Sequence, residues 1–115
     1  MKYFFLIGFT IVSVLSACNT EHNPQDTTVS GAKNLRDGTY VRISGSVDSM
    51  ISHEWYSFSD HTGSINVEIE TEVWARNGIN PATLNLPVQA EIVGEVDKER
   101  NQSTIIEVER LRIIH

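Results

Sequence analysis

Cysteine occurs once in this 115-residue chain, at position 18. No intrachain disulfide can form, so a folded domain must rest on its apolar core. Positive charge is also scarce: nine Lys and Arg stand against 15 Asp and Glu, a formal net charge of −6 at pH 7. All 15 acidic residues lie after Cys18. A domain of that sign is a poor partner for nucleic acid or anionic headgroups, because binding polyphosphate requires basic side chains that displace counterions. Beyond residue 17 no apolar run approaches the roughly 20 residues of a spanning helix. There is no glycine-rich phosphate cradle and no serine in a nucleophile elbow, so neither nucleotide binding nor covalent catalysis finds support. The adjacent pairs His53-Glu54 and Asp60-His61 do not repeat the spaced ligands of a zinc site, and neither metal nor cofactor is expected.

What is present begins with the first 17 residues. Lys2 precedes an almost wholly apolar stretch from Tyr3 to Val14, and Leu15-Ser16-Ala17-Cys18 follows. One positive charge, a short apolar core and small residues at the cut are the parts of a secretory signal. The tetrapeptide resembles the lipobox of bacterial lipoproteins, in which the cysteine is acylated and becomes the new N-terminus. Residues 1–17 are thus expected to be a lipoprotein signal peptide, with Cys18 as the lipidation site. At roughly 0.8 kcal/mol per buried methylene, several acyl chains make such an anchor effectively permanent. Asn19 is not the aspartate that commonly retains lipoproteins at the inner membrane, so the expected location is the cell envelope, facing the periplasm from the outer membrane. Residues 18–28 are polar, without a large apolar side chain, and read as the lipidated cysteine and a flexible tether.

Residues 29–115 read as one domain. Ser30 is a candidate cap for a short helix reaching Leu35, and Asp37-Gly38 is a turn signal. The apolar period then becomes two. Val41, Ile43, Gly45 and Val47 form a first alternating run, Tyr56 and Phe58 a second, and Ile65, Val67 and Ile69 a third. Asp60-His61-Thr62-Gly63 supplies the turn between the second and third. Val73 and Trp74 fall in one or two helical turns ended by Gly78, with Trp74 placed to plug the core. A fourth strand directs Val88, Ala90, Ile92, Gly94 and Val96 inward. Residues 97–102 make a charged hairpin loop, and the last strand spans about 104–114. Its apolar residues step by three between Val108 and Leu111, and a bulge there restores the apolar face.

Five strands in under ninety residues, with a helical segment between the third and fourth, predict an all-β fold: a small five-stranded OB-fold barrel with a short N-terminal helix. Gly45 and Gly94, inside strands at inward positions, permit the coiling that closes such a sheet.

Several segments, in order, resemble one family. They are Ala32-Lys33-Asn34-Leu35-Arg36-Asp37, Tyr56-Ser57-Phe58-Ser59-Asp60, Gly63-Ser64-Ile65-Asn66-Val67-Glu68-Ile69, Trp74 and Gly94-Glu95-Val96-Asp97-Lys98. Together with Val41 and Gly45 they are similar to the bacterial OB-fold (BOF) family of YgiW/YdeI-type envelope stress-tolerance proteins. The resemblance spans the domain. It implies a five-stranded barrel, export, a stress-tolerance role and no enzymatic activity. Two features depart from it: members of the family mostly carry ordinary signals and are soluble in the periplasm, and residues 77–86 form a longer connection than usual.

OB-folds bind ligands on the face of their second and third strands. Alternation places Trp55, Ser57, Ser59, Asn66, Glu68 and Glu70 there. One tryptophan among carboxylates does not suit single-stranded nucleic acid, which needs several aromatic platforms in a basic groove. The face suits a small or peptidic cationic ligand, or a cell-wall component, with Trp55, Asn66, Glu68 and Glu70 as contacts and Glu91 or Glu95 completing a carboxylate patch. The plainer alternative is a solvated face that keeps the barrel soluble. A different class of function is a protein-interaction module docking on an envelope protein through Met50, Ile51 and Trp55 in the first long loop.

Overall fold

A computed structural model describes residues 23–98 and 103–115. The expected signal peptide, Cys18 and most of the charged loop after Asp97 lie outside the described residues. The elements are β1 (Gln25–Asp26), α1 (Val29–Ala32), β2 (Tyr40–Ser52), β3 (Trp55–Asp60), β4 (Gly63–Glu68), α2 (Thr71–Ala75), a 3-10 turn (Pro81–Thr83), β5 (Val88–Asp97) and β6 (Ile105–Ile113). The sheet order is β1-β2-β3-β4-β6-β5, and β5 pairs back onto β2. Strands β2, β3, β4, β6 and β5 thereby close a five-stranded ring, the OB-fold barrel that the alternating runs imply.

Closure uses β2 twice. Its first half, Tyr40 to Val47, pairs with β5, and its second half, Ser46 to Ser52, pairs with β3. The β3-side edge of the first half would be open, and β1 fills it in parallel through Gln25↔Val41 and Asp26↔Arg42. An Asp26–Arg42 ion pair at 2.8 Å fastens this strand. The polar stretch expected to run free to Thr28 is therefore joined to the barrel from Gln25 onward; backbone pairing at an open edge needs no apolar side chain, so composition did not signal it.

The helix that follows is also displaced from expectation. Thr28, not Ser30, caps it by accepting from the Gly31 N–H at 3.0 Å, and it ends at Ala32. The β3–β4 turn completes the cap. Asp60 accepts from the Val29 N–H at 2.9 Å, and Thr62 Oγ1 accepts from the Ser30 N–H at 2.9 Å.

Met50 and Ile51 do not lie in a long loop. Strand β2 continues through them to a tight hairpin in which Ser52 pairs with Trp55, and Glu54 takes a φ of 69°. Register shifts between Val47 and Ser49, and again between Met50 and Ser52, interrupt the inward–outward alternation. Two bulges in five residues thus erased the period that marks a strand.

The interior holds the expected residues: Val41, Ile43, Val47, Tyr56, Phe58, Val67, Ile92 and Val96 among them, all buried. Trp74 closes the core as expected, fully buried; its indole N–H donates to the Tyr56 hydroxyl at 3.2 Å, with the rings edge-on at 5.5 Å. The bulge expected between Val108 and Leu111 is present: Val93 pairs with Arg110 and Gly94 with Val108, leaving Glu109 as the extra residue.

Candidate functional site: an acidic row across the barrel

Outward positions alternate with the core residues on every strand, and barrel closure decides which of them become neighbours. Across β3 and β4, Trp55 pairs with Glu68. Across β4 and β6, Glu68 pairs with Glu107. Glu107 pairs in turn with Glu95 on β5, and Glu95 with Tyr40 on β2. Five residues on five strands form one row: Trp55, Glu68, Glu107, Glu95 and Tyr40. Neighbouring strands lie about 4.8 Å apart, so the three glutamates leave the backbone at about that interval.

Around the row stand further acids. Asp97 closes β5 and shares a hydrogen bond with Glu107. Glu54, in the β2–β3 turn, and Glu70, just past β4, both repel Glu68. Glu70 is not a strand residue as alternation had it; it occupies the N-cap position of α2, exposed and still extended at φ −69°. Glu68, Glu70, Glu107 and Glu109 line an open depression of about 460 Å³, together with Arg76 and Arg110.

The electrostatic consequence is concentrated on Glu107. Its hydrogen bond with Asp97, then partial burial, then repulsion from Asp97, Glu68 and Glu95 push its carboxyl up to about 7. Glu68 moves in the same direction, first through partial burial and then through Glu70, Glu54 and Asp97. Carboxylates raised by their own neighbours are relieved by an added cation, which lowers the repulsion for all of them. At the ends of the row stand Trp55 and Tyr40, both partly buried, and Tyr40 donates to Glu109 at 2.9 Å. Rings and carboxylates together suit an organic cation.

Of the residues expected to form a site, Trp55 and Glu68 stand side by side in the row, and Glu70 joins Glu68 at the depression. Asn66 lies one step along the same outward face, paired with Ser57. Glu95 does reach the patch, through Glu107. Glu91 does not: it faces Arg112 at 3.4 Å and Arg42 at 4.0 Å. Glu107, at the centre, was not among the expected contacts, nor was Asp97, which had been placed in the loop. The outward step of the last strand marks Glu107 as exposed, but its neighbours follow from the parallel β4–β6 pairing, a contact no local signal encodes. Among the described residues no group of three His, Cys, Asp or Glu is arranged to hold a metal ion.

Residues 15–113 match the family described as Bacterial OB fold (BOF) protein. Protein YgiW of Escherichia coli strain K12 is 41% identical over 93 residues, which cover 81% of this chain and 67% of that protein. The calcium-regulated OB-fold protein CarO of Pseudomonas aeruginosa is 34% identical over 76 residues, covering 66% of this chain and 61% of CarO. The solved structure of E. coli YgiW superposes with a TM-score of 0.66 at 39% identity, covering 78% of this chain and 90% of that one. With the barrel, its capping helix and the shared sequence in agreement, the chain belongs to the bacterial OB-fold family.

Proposed function

We propose that this chain is a non-enzymatic OB-fold protein of the bacterial envelope, of the stress-tolerance type, whose acidic row binds a small or peptidic cationic ligand or a cationic cell-wall component. The observation that carries this reading is the row itself: Glu68, Glu107 and Glu95 on three adjacent strands, with Trp55 and Tyr40 at its two ends. A surface meant only to be solvated gains nothing from like charges placed directly across strands, which cost stability. Here the barrel is a rigid platform and the attraction is electrostatic.

Titration with oligolysine, followed by tryptophan fluorescence, tests this. Binding should weaken steeply between low and high salt, as screening shortens the reach of the carboxylates to about 10 Å at 0.1 M. It should weaken further in Glu68→Gln and Glu107→Gln. Binding indifferent to salt and to both substitutions would sink the mechanism.

Lipid attachment at Cys18 belongs to the same proposal. It rests on the Leu15-Ser16-Ala17-Cys18 sequence after an apolar stretch, and places the barrel in the periplasm, at the outer membrane. Replacement of Cys18 by Ser should move the protein from the membrane to the soluble fraction. Unchanged fractionation would remove the anchor from the proposal while leaving the acidic row untouched.

A second reading, docking on an envelope protein, is favoured by Met50 and Ile51, 46% and 54% exposed on the β2–β3 hairpin. A stoichiometric partner crosslinked in intact envelopes, and lost in Met50→Ser with Ile51→Ser, would establish it over a free ligand.

A further inference from the structure

Strand β6 changes sign halfway along its length. Glu107 and the bulge residue Glu109 come first, and Arg110 and Arg112 follow. A third guanidinium arrives from the end of α2, where Arg76 Nη1 donates to the carbonyl of Glu109 at 3.0 Å. In a domain short of positive charge, these three arginines line one pocket of about 360 Å³, together with Val73, Val93 and Leu111. Val93 is the odd residue of β5: its position alternates with the core and pairs with Arg110, yet it is apolar and only 5% exposed. Val73 is equally buried and Leu111 nearly so, and the three give the pocket an apolar floor.

One acid, Glu91, also lines the pocket. Arg112 approaches it at 3.4 Å and Arg42 at 4.0 Å, and Arg42 is in turn paired with Asp26. A guanidinium has five N–H donors in a planar fork. Arg76 commits Nη1 to the Glu109 carbonyl, Arg112 directs Nε and Nη2 toward Glu91, and Arg110 hydrogen-bonds the Tyr40 hydroxyl. Each retains donors for a second acceptor. Three cations against one carboxylate, above an aliphatic floor, form a site whose charge is opposite to that of the acidic row.

We propose that this pocket is a second binding site, for a small organic carboxylate with an apolar body: the body rests on Val73, Val93 and Leu111, and the carboxylate is held by Arg110 and Arg112 with Arg76 at the rim. Planar carboxylates match the guanidinium fork in a way that a simple point charge does not. The volume lies at the small end of ligand pockets, which run from about 300 to 1,000 Å³. Val73, Arg76 and Arg110 also line the acidic depression, whereas Val93, Leu111 and Arg112 belong to this pocket and not to that one. The inference does not depend on the cationic reading of the acidic row, because it calls for a ligand of the opposite charge.

The probe is 3-phenylpropionate, compared with the corresponding alcohol and amine, titrated into the intact chain bearing Cys18→Ser and followed by amide chemical shifts. The acid should give saturable shifts centred on Val73, Val93 and Leu111, with the alcohol about tenfold weaker and the amine weaker still. Arg110→Gln and Arg112→Gln should each weaken the acid about tenfold, whereas Glu68→Gln should leave it unchanged. Arg76→Gln removes an anchor of α2 as well as a donor, so the two exposed β6 arginines decide the outcome. Equal binding of acid and alcohol, shifts centred elsewhere, or no saturation in the millimolar range would overturn the proposal.

Discussion

Glu107 lies directly across from Glu68 on the parallel β4–β6 pair, and directly across from Glu95 on the antiparallel β5–β6 pair. It also shares a hydrogen bond with Asp97, an arrangement that requires a proton between two carboxyl groups. The folded protein holds that proton up to about pH 7, whereas an unfolded glutamate releases it near 4.3. Between those values the folded state binds more protons than the unfolded state, so stability falls as pH rises through the window and levels off above it. Glu107→Gln should flatten this slope and stabilise the domain at pH 7.5 by about 1 kcal/mol, the scale of cross-strand charge repulsion on a solvent-screened surface. Urea unfolding at pH 5 and 7.5 checks it. A variant with an unchanged slope would show that Glu107 does not govern it.

The Tyr56 hydroxyl and the Trp74 indole N–H form a hydrogen bond inside the core, 3.2 Å long and sheltered from water. Tyr56→Phe leaves the ring packing in place and strands the indole donor. The loss should be about 1–2 kcal/mol, the desolvation cost of an unsatisfied buried N–H. Trp74→Ala should cost more, about 4 kcal/mol, because it also empties the end of the barrel. Denaturant midpoints of the two variants, compared at equal slope, give both numbers; a silent Tyr56→Phe would mean that the bond adds nothing beyond packing.

Most of the barrel was legible because its inward residues repeat every second position. Val41 to Val47, Ile65 to Ile69 and Val88 to Val96 each keep that period. Each run lies in a strand except Ile69, just past β4, and the inward apolar residues are buried except Val88, which is partly buried. Even the bulge at Glu109 showed, as a step of three between Val108 and Leu111. What stayed hidden has two physical causes. Bulges at Asp48 and Ile51 scramble the alternation and make a strand look like a loop. Pairing between strands distant in sequence leaves no local trace, and Glu107 beside Glu68 or β1 beside β2 arises only when the sheet closes. Trp55 and Glu68 could be placed on one face from a hairpin, with Glu95 offered as a neighbour; Glu107, which joins them, could not.

Asp60 shows how a turn signal can understate a residue. Its carboxylate accepts from the Thr62 hydroxyl and N–H and from the Val29 N–H, tying the β3–β4 turn to the start of α1. Partial burial opposes ionisation, but the hydrogen bonds from Thr62 and Val29 outweigh it and hold the carboxyl below its ordinary range. The sign is opposite to that of Glu107: this stabilisation is complete above the unfolded value near 3.9 and is lost as pH falls through the lower folded value. Asp60→Ala should cost about 1–2 kcal/mol near neutral pH, as helix caps and charged hydrogen bonds do. Hydrogen exchange at the amides of Val29 and Ser30 should quicken first. Protection unchanged at those two positions would mean that α1 is held by Thr28 and its packing alone.

Gly94 has its role fixed by the backbone beside it. A Cβ at this position would collide with the carbonyl of Glu107 and crowd the Cα of Val108, beside the bulge between β5 and β6. Backbone on a paired strand cannot step aside as a flexible side chain can. Gly94→Ala should therefore cost about 3 kcal/mol, the upper range for overpacking. Gly78 provides the contrast. It takes a φ of +72° with open space around it, so Gly78→Ala meets only the left-handed penalty of about 1–2 kcal/mol. Urea midpoints should rank wild type above Gly78→Ala, and Gly78→Ala above Gly94→Ala. Were Gly94→Ala the milder of the two, the strands would have to part at little cost, and the register that sets Glu107 between Glu68 and Glu95 would be softer than the barrel geometry requires.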